Sequence, residues 1–157
     1  MNMILIGMPG AGKSTIGVIL AKTLGMNFCD TDLVIQQNTG QRLQQIIDRQ
    51  GLDAFLKAEE EAICSVIATG GSVVLSQKAM AHLQSCGKCV YLDVTLEECK
   101  RRIRNIRTRG IAVRKGQTLD DVFRERIPLY QKYAALTVCC TDKSTEDIVA
   151  ELVSCKE

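Results

Sequence analysis

Near its start the chain reads GMPGAGKST, residues 7 to 15, where Gly7, Gly12, Lys13 and Ser14 satisfy the spacing G-x-x-x-x-G-K-[ST]. Glycines let the backbone fold tightly enough to aim several N–H groups at one anion, and a helix that starts there adds positive potential. The lysine of such a loop reaches the β- and γ-phosphates of a nucleoside triphosphate, and the hydroxyl after it is a ligand to Mg²⁺. Lys13 and Ser14 are therefore expected to hold a nucleotide and its metal ion. An incidental glycine turn is the competing explanation, and the strand-like MILI before and helical pattern after weigh against it.

Further residues could supply the receiving side of a transfer. Asp30 and Asp32 stand two apart in FCDTD, so in an extended segment their side chains point the same way. One of them could serve Mg²⁺ through water while the other accepts a proton from a substrate hydroxyl. Alternatively, one of them caps the helix expected from about Leu33. TGG, Thr69 to Gly71, would let backbone approach a ligand closely, or it is a plain tight turn. Between Lys100 and Lys115 there are eight basic residues and no acidic one. Part of this stretch, RTRGIAVRKGQT, loses helical periodicity and is bounded by glycines, which suits a mobile lid over about residues 107–118. A cationic lid would exclude water and stabilise charge on a transferring phosphoryl group. A plain surface loop and a nucleic-acid contact are the competing explanations.

These groups need a frame that gathers them. Five short apolar runs, MILI, MNFC, SVIA, KCVYLDV and LTVCCT, alternate with helical patterns such as KSTIGVILAKTLG, TLEECKRRIRNIR, VFRERIPLYQKYA and STEDIVAELVSC. Gly25 is a plausible stop for the first helix. LVIQQNTG, LQQIIDRQG and DAFLKAEEEAIC are also helical in pattern. This alternation predicts an α/β fold, a parallel sheet of about five strands with helices on both faces. Ligands of such sheets bind at the carboxyl ends of the strands. GMPGAGKS, DTD and TGGS each follow a strand directly, so three distant motifs are expected on one rim.

Composition narrows the class. At 157 residues the chain fits one domain, and 46% apolar with 24% charged residues is the mix of a soluble globular protein. The opening MNMILIG is too short for a secretory leader and lacks a basic leader and cleavage site, and no apolar run is long enough for a membrane span, so a cytoplasmic protein is expected. Eight cysteines lack the regular loop spacing of a disulfide scaffold and are expected to be mostly small buried hydrophobes. CGKC, Cys86 to Cys89, with His82 is a weak candidate for a zinc or redox site, against a turn entering a strand. A net charge of +2 implies no general affinity for nucleic acid or anionic membrane, and 4% aromatics offer few platforms for bases. No N-K-x-D element occurs, which argues against a GTP-binding switch.

Taken together, GMPGAGKSTIG, FCDTD, TG at 39 to 40, AFLKAEE, IATGG, VYLDV and ERIPLY at 125 to 130 resemble the shikimate kinase family, essentially end to end. The resemblance implies a three-layer P-loop fold like that of nucleoside monophosphate kinases, and phosphorylation of the 3-hydroxyl of shikimate by MgATP, most simply by a monomer. It implies that Gly10, Ala11, Gly12, Lys13, Ser14 and Thr15 hold ATP and that Ser14 binds magnesium, with Asp30 beside it. Asp32 is implied as the acceptor's anchor and base, Gly70 and Gly71 as contacts to the substrate ring, and Arg126 as the partner of its carboxylate. Arg109 corresponds to the lid arginine that reaches the phosphates, and Arg104 and residues 141–144 are candidates for the adenine.

The chain departs from that family in four places, one of them a segment between Glu59 and Thr69 that is shorter than is usual there. The family's RPLL is here RGIA, so the lid lacks its proline. Its third glycine after TG is Ser72. Above all, Leu56 stands where similar kinases carry an arginine that grips the shikimate carboxylate. Losing one charge-assisted hydrogen bond costs roughly 1.5–3 kcal/mol, one to two powers of ten in affinity. Either the clamp is weaker or relocated, or the acceptor is another hydroxylated small molecule. A nucleotide-binding regulatory module without transfer is a further alternative, distinguished by nucleotide binding with no turnover of any hydroxy acid.

Overall fold

The computed structural model describes residues 1–33, 65–103 and 116–155. Their elements run β1 (Asn2–Ile6), α1 (Lys13–Leu24), β2 (Asn27–Asp30), β3 (Ser65–Ala68), a single 3₁₀ turn (Val73–Leu75), α2 (Gln77–Cys86), β4 (Gly87–Asp93), α3 (Leu96–Arg102), α4 (Leu119–Tyr133), β5 (Leu136–Cys139) and α5 (Thr145–Ser154). The helical patterns expected across 34–64, and the lid residues 107–115, lie outside the described residues. Five strands form one sheet in the order β2-β3-β1-β4-β5, and every pairing is parallel. This is the α/β architecture the alternation of patterns predicts.

β1 lies at the centre, paired to β3 on one side and β4 on the other. Ile4, Leu5 and Ile6 are completely buried, as a central strand covered on both faces requires. Parallel strands need right-handed crossovers. The connection from β1 runs one way along the sheet, to β2, while those from β3 to β4 and from β4 to β5 run the other way. α1 is thereby sent to one face, and α2, α3 and α4 to the opposite one. Packing agrees: α1 lies against β3 and α5, while α4 lies against β4 and α3. The reversal of direction at β1 opens a crevice at its carboxyl end, the position where such sheets bind ligands.

Local chemistry sets the boundaries. α1 ends at Gly25, whose φ of 62° is left-handed and closes the last turn, as expected from its sequence. α4 and α5 both begin with capping boxes, Thr118 with Asp121 and Ser144 with Asp147. α2 was not expected from the sequence. It buries only Met80 and Leu83, so its apolar period is faint, although Ser76 is a legible N-cap that accepts from the Ala79 amide. Among the described cysteines Cys89, Cys99 and Cys140 are buried and Cys139 is exposed, so the expected burial holds for some of them only.

Candidate active site

β1 delivers the chain to a tight loop. Gly10 and Gly12 have φ of 83° and 89°, which a side chain would make strained, and Gly12 is the N-cap of α1. The Ala11 amide donates to the Met8 carbonyl at 3.0 Å, folding the loop back on itself. Lys13 is buried, and its Nζ donates to the carbonyls of Gly7 and Met8, both at 2.9 Å. Burial holds the Lys13 pKa down to about 8, even though Asp32, Cys99 and Asp30 favour its charge. Ser14 and Thr15 follow, exposed, on the first turn of α1. The tight loop through Gly10, Ala11 and Gly12 thus leads straight into α1, with Lys13, Ser14 and Thr15 on its first turn.

The aspartates are arranged differently from the extended pair read from the sequence. β2 ends at Asp30, and residues 31–33 have already turned helical, so alternation along a strand does not align the two side chains. Asp30 Oδ1 accepts from the Asp32 amide at 3.0 Å, a cap of that turn, while Asp30 Oδ2 accepts from the Ser14 hydroxyl at 2.6 Å. Capping and the contact with the phosphate loop thus fall on the same carboxylate, one oxygen each. Asp32 is left open to solvent. Its pKa is raised, first by the protein mass around it and then by the charge of Asp30, against the pull of Lys13. A hydroxyl and a carboxylate in contact, with a second carboxylate beside them, are hard oxygen donors of the kind Mg²⁺ takes.

The TGG turn continues from β3. Thr69 is buried, and its amide and hydroxyl both donate to the Leu5 carbonyl, at 3.2 and 2.9 Å. Gly70 is buried and Gly71 half-buried. A Cβ on Gly71 would lie 2.8 Å from Cδ of Pro9, so the turn sits directly on the phosphate loop and only glycine fits. Ser72 has φ of −92° and ψ of −6°, a conformation open to any residue, so serine is accommodated here without strain.

α4 contributes Arg126, 1% exposed. Its charge acts on Lys13, as do those of Asp30 and Asp32. Groups from the β1–α1 loop, the end of β2 and α4 are thus within electrostatic reach of one another. Tyr130, one turn on from Arg126, is completely buried and donates its hydroxyl to the Gly71 carbonyl at 2.5 Å. Neither Tyr130 nor Arg102 was singled out from the sequence. Arg102 is held by Glu98 at 2.6 Å and its Nη1 donates to the Gly10 carbonyl at 3.4 Å. It was one of eight cations among the sixteen residues from Lys100 to Lys115, and only the contact distinguishes it. Arg104, Arg109 and Leu56 lie outside the described residues. At CGKC a helix runs directly into a strand, with no turn between: Cys86 ends α2 and Gly87 opens β4. No group of three or more metal-ligating side chains occurs among the described residues.

Comparison with known proteins matches this arrangement to one family. A family model described as shikimate kinase matches residues 9–157. A shikimate kinase of Haemophilus influenzae is 36% identical over 97% of this chain and 90% of its own length. That of Paracidovorax citrulli is 40% identical over 85% of this chain and 79% of its own. The solved shikimate kinase of Acinetobacter baumannii, in complex with shikimate, superposes with a TM-score of 0.81 at 27% identity, covering 99% of this chain and 92% of that one. With a phosphate loop at the switch point of a β2-β3-β1-β4-β5 sheet and a match over nearly all its length, the chain belongs to the shikimate kinase family.

Proposed function

We propose that this protein transfers the γ-phosphoryl group of MgATP to the 3-hydroxyl of shikimate, as a monomeric cytoplasmic enzyme. What supports this reading is that Asp30, Asp32 and Arg126, from the end of β2 and from α4, all lie within electrostatic reach of Lys13. Family membership supports the choice of reaction. All the groups named belong to one chain, and no described helix is long and apolar enough to cross a membrane.

In this mechanism Gly10 to Thr15 wrap the phosphates with backbone N–H groups, and Lys13 leaves the carbonyls of Gly7 and Met8 for the β- and γ-oxygens. Ser14 and Asp30 would hold the magnesium ion, which neutralises phosphate charge. Asp32, open to the acceptor, accepts the hydroxyl proton as attack proceeds, and its raised pKa makes it a better base than an ordinary carboxylate. Gly70 and Gly71 line the ring, and Arg126 pairs with the acceptor's carboxylate. Arg109 is assigned to the phosphoryl group from the lid, and Arg104 or residues 141–144 to the adenine.

A second acceptor is favoured by one observation, Leu56 in place of the second carboxylate-binding arginine. Both readings are tested by ADP release from MgATP with and without shikimate, with mass spectrometry of the acceptor. Saturable formation of a phosphorylated shikimate is expected. Nucleotide binding without turnover of shikimate would overturn this reading and direct the search to other hydroxy acids.

A further inference from the structure

The acceptor-binding groups of the proposed function come from unrelated parts of the chain, Gly71 after β3 and Arg126 on α4. One hydroxyl ties the Gly71 turn to α4. Tyr130 lies four residues beyond Arg126 on the same helical face. Its phenol donates its proton to the Gly71 carbonyl at 2.5 Å, and the charge of Arg126 acts on it. Its ring is fixed by stacking on Tyr91, with centroids 5.2 Å apart and planes 15° from parallel. Both rings are buried at 1% exposure or less, so the phenol has no freedom to turn elsewhere. Gly71 in turn rests against Pro9 of the phosphate loop.

We infer that Tyr130 is a positioning residue for the acceptor, whose hydroxyl locks the Gly71 turn to α4, the helix that carries Arg126, against the phosphate loop. This rests on the proposed function for the identity of the acceptor, but the lock itself does not. Phenylalanine at 130 would keep the ring, its stack and its volume while removing the hydrogen bond to Gly71. The turn then loses its tether to α4, while the loop before α1 keeps all its own bonds.

The test compares wild type, Tyr130→Phe and Tyr91→Phe. The last removes a buried hydroxyl from the same stack, one that donates to Asp93 at 2.8 Å and touches neither Gly71 nor Arg126. Tyr130→Phe is expected to raise KM for shikimate about tenfold while leaving KM for ATP within about twofold, and Tyr91→Phe to leave both unchanged. Hydrogen exchange in a peptide spanning residues 69–73 should quicken in Tyr130→Phe alone. Equal losses in both variants, or a lower melting temperature with KM for shikimate unmoved, would mean that Tyr130 is only a packing residue. Should Tyr130→Phe not fold, NMR of tyrosine-labelled wild type decides, since the lock requires a slowly exchanging Tyr130 hydroxyl proton close to Gly71. If wild type does not phosphorylate shikimate, the functional reading falls, and exchange and NMR still decide whether the lock exists.

Discussion

Lys13 illustrates how burial sets the working range of a site. In the free protein Lys13 loses its proton at about 8 instead of its ordinary 10.5, so the cation that phosphates need is depleted above that pH. kcat/KM for MgATP, which reports the free enzyme, is expected to show a falling limb near pH 8 in a steady-state profile. Stability has the opposite dependence. Between about 8 and 10.5 the unfolded chain holds a proton that folded Lys13 has released, so this group makes the unliganded protein more stable as pH rises through that window. Asp32→Asn should lower kcat by about 10²- to 10⁴-fold while calorimetry finds ATP binding intact. Leu56→Arg restores a charged donor, and should lower KM for shikimate by about tenfold in the same assay. Lys13, Ser14 and Asp32 were expected from motifs whose spacing chemistry constrains, and Arg126 from the family resemblance alone. Tyr130 and Arg102 were not, because a phenol in a helix and one arginine among many carry no such spacing.

The helices and turns hold these groups at close quarters, and glycine marks the tightest approaches. Gly17 in α1 faces β2, where an added Cβ would come within 2.6 Å of the Phe28 ring. Alanine in an exposed helix stabilises by about 1 kcal/mol over glycine, whereas overpacking a tight contact costs about 1–3 kcal/mol. Here the clash is with a ring edge of a half-buried phenylalanine packed on the core, so Gly17→Ala is expected to destabilise. Urea unfolding would measure it, and a gain in stability would mean that Phe28 yields easily. Strand and helix order was readable from period alone wherever the apolar faces were broad. α2 escaped because two buried residues in ten make a weak stripe, and the pairing of Asp30 with Asp32 was misjudged because helix onset moved up to the strand end.

Across the whole molecule, the phosphate loop at the switch point couples nucleotide to fold. A ligand that binds only the folded state at a hundred times its Kd adds about 2.7 kcal/mol, which for a chain of this size raises Tm by about 5–10 °C. MgATP should give such a shift in a thermal scan, and shikimate alone a smaller one if Leu56 weakens its grip. By itself the sequence determined the nucleotide loop, the alternating elements and hence the parallel sheet, because backbone conformation and apolar period are local properties written within a few residues. Only the tertiary structure decided the strand order, which of two aspartates caps and which stands open, and which hydroxyl ties α4 to the Gly71 turn. Those depend on contacts between residues far apart in the chain, such as Tyr130 and Gly71, 59 positions apart, and no local pattern specifies such distances.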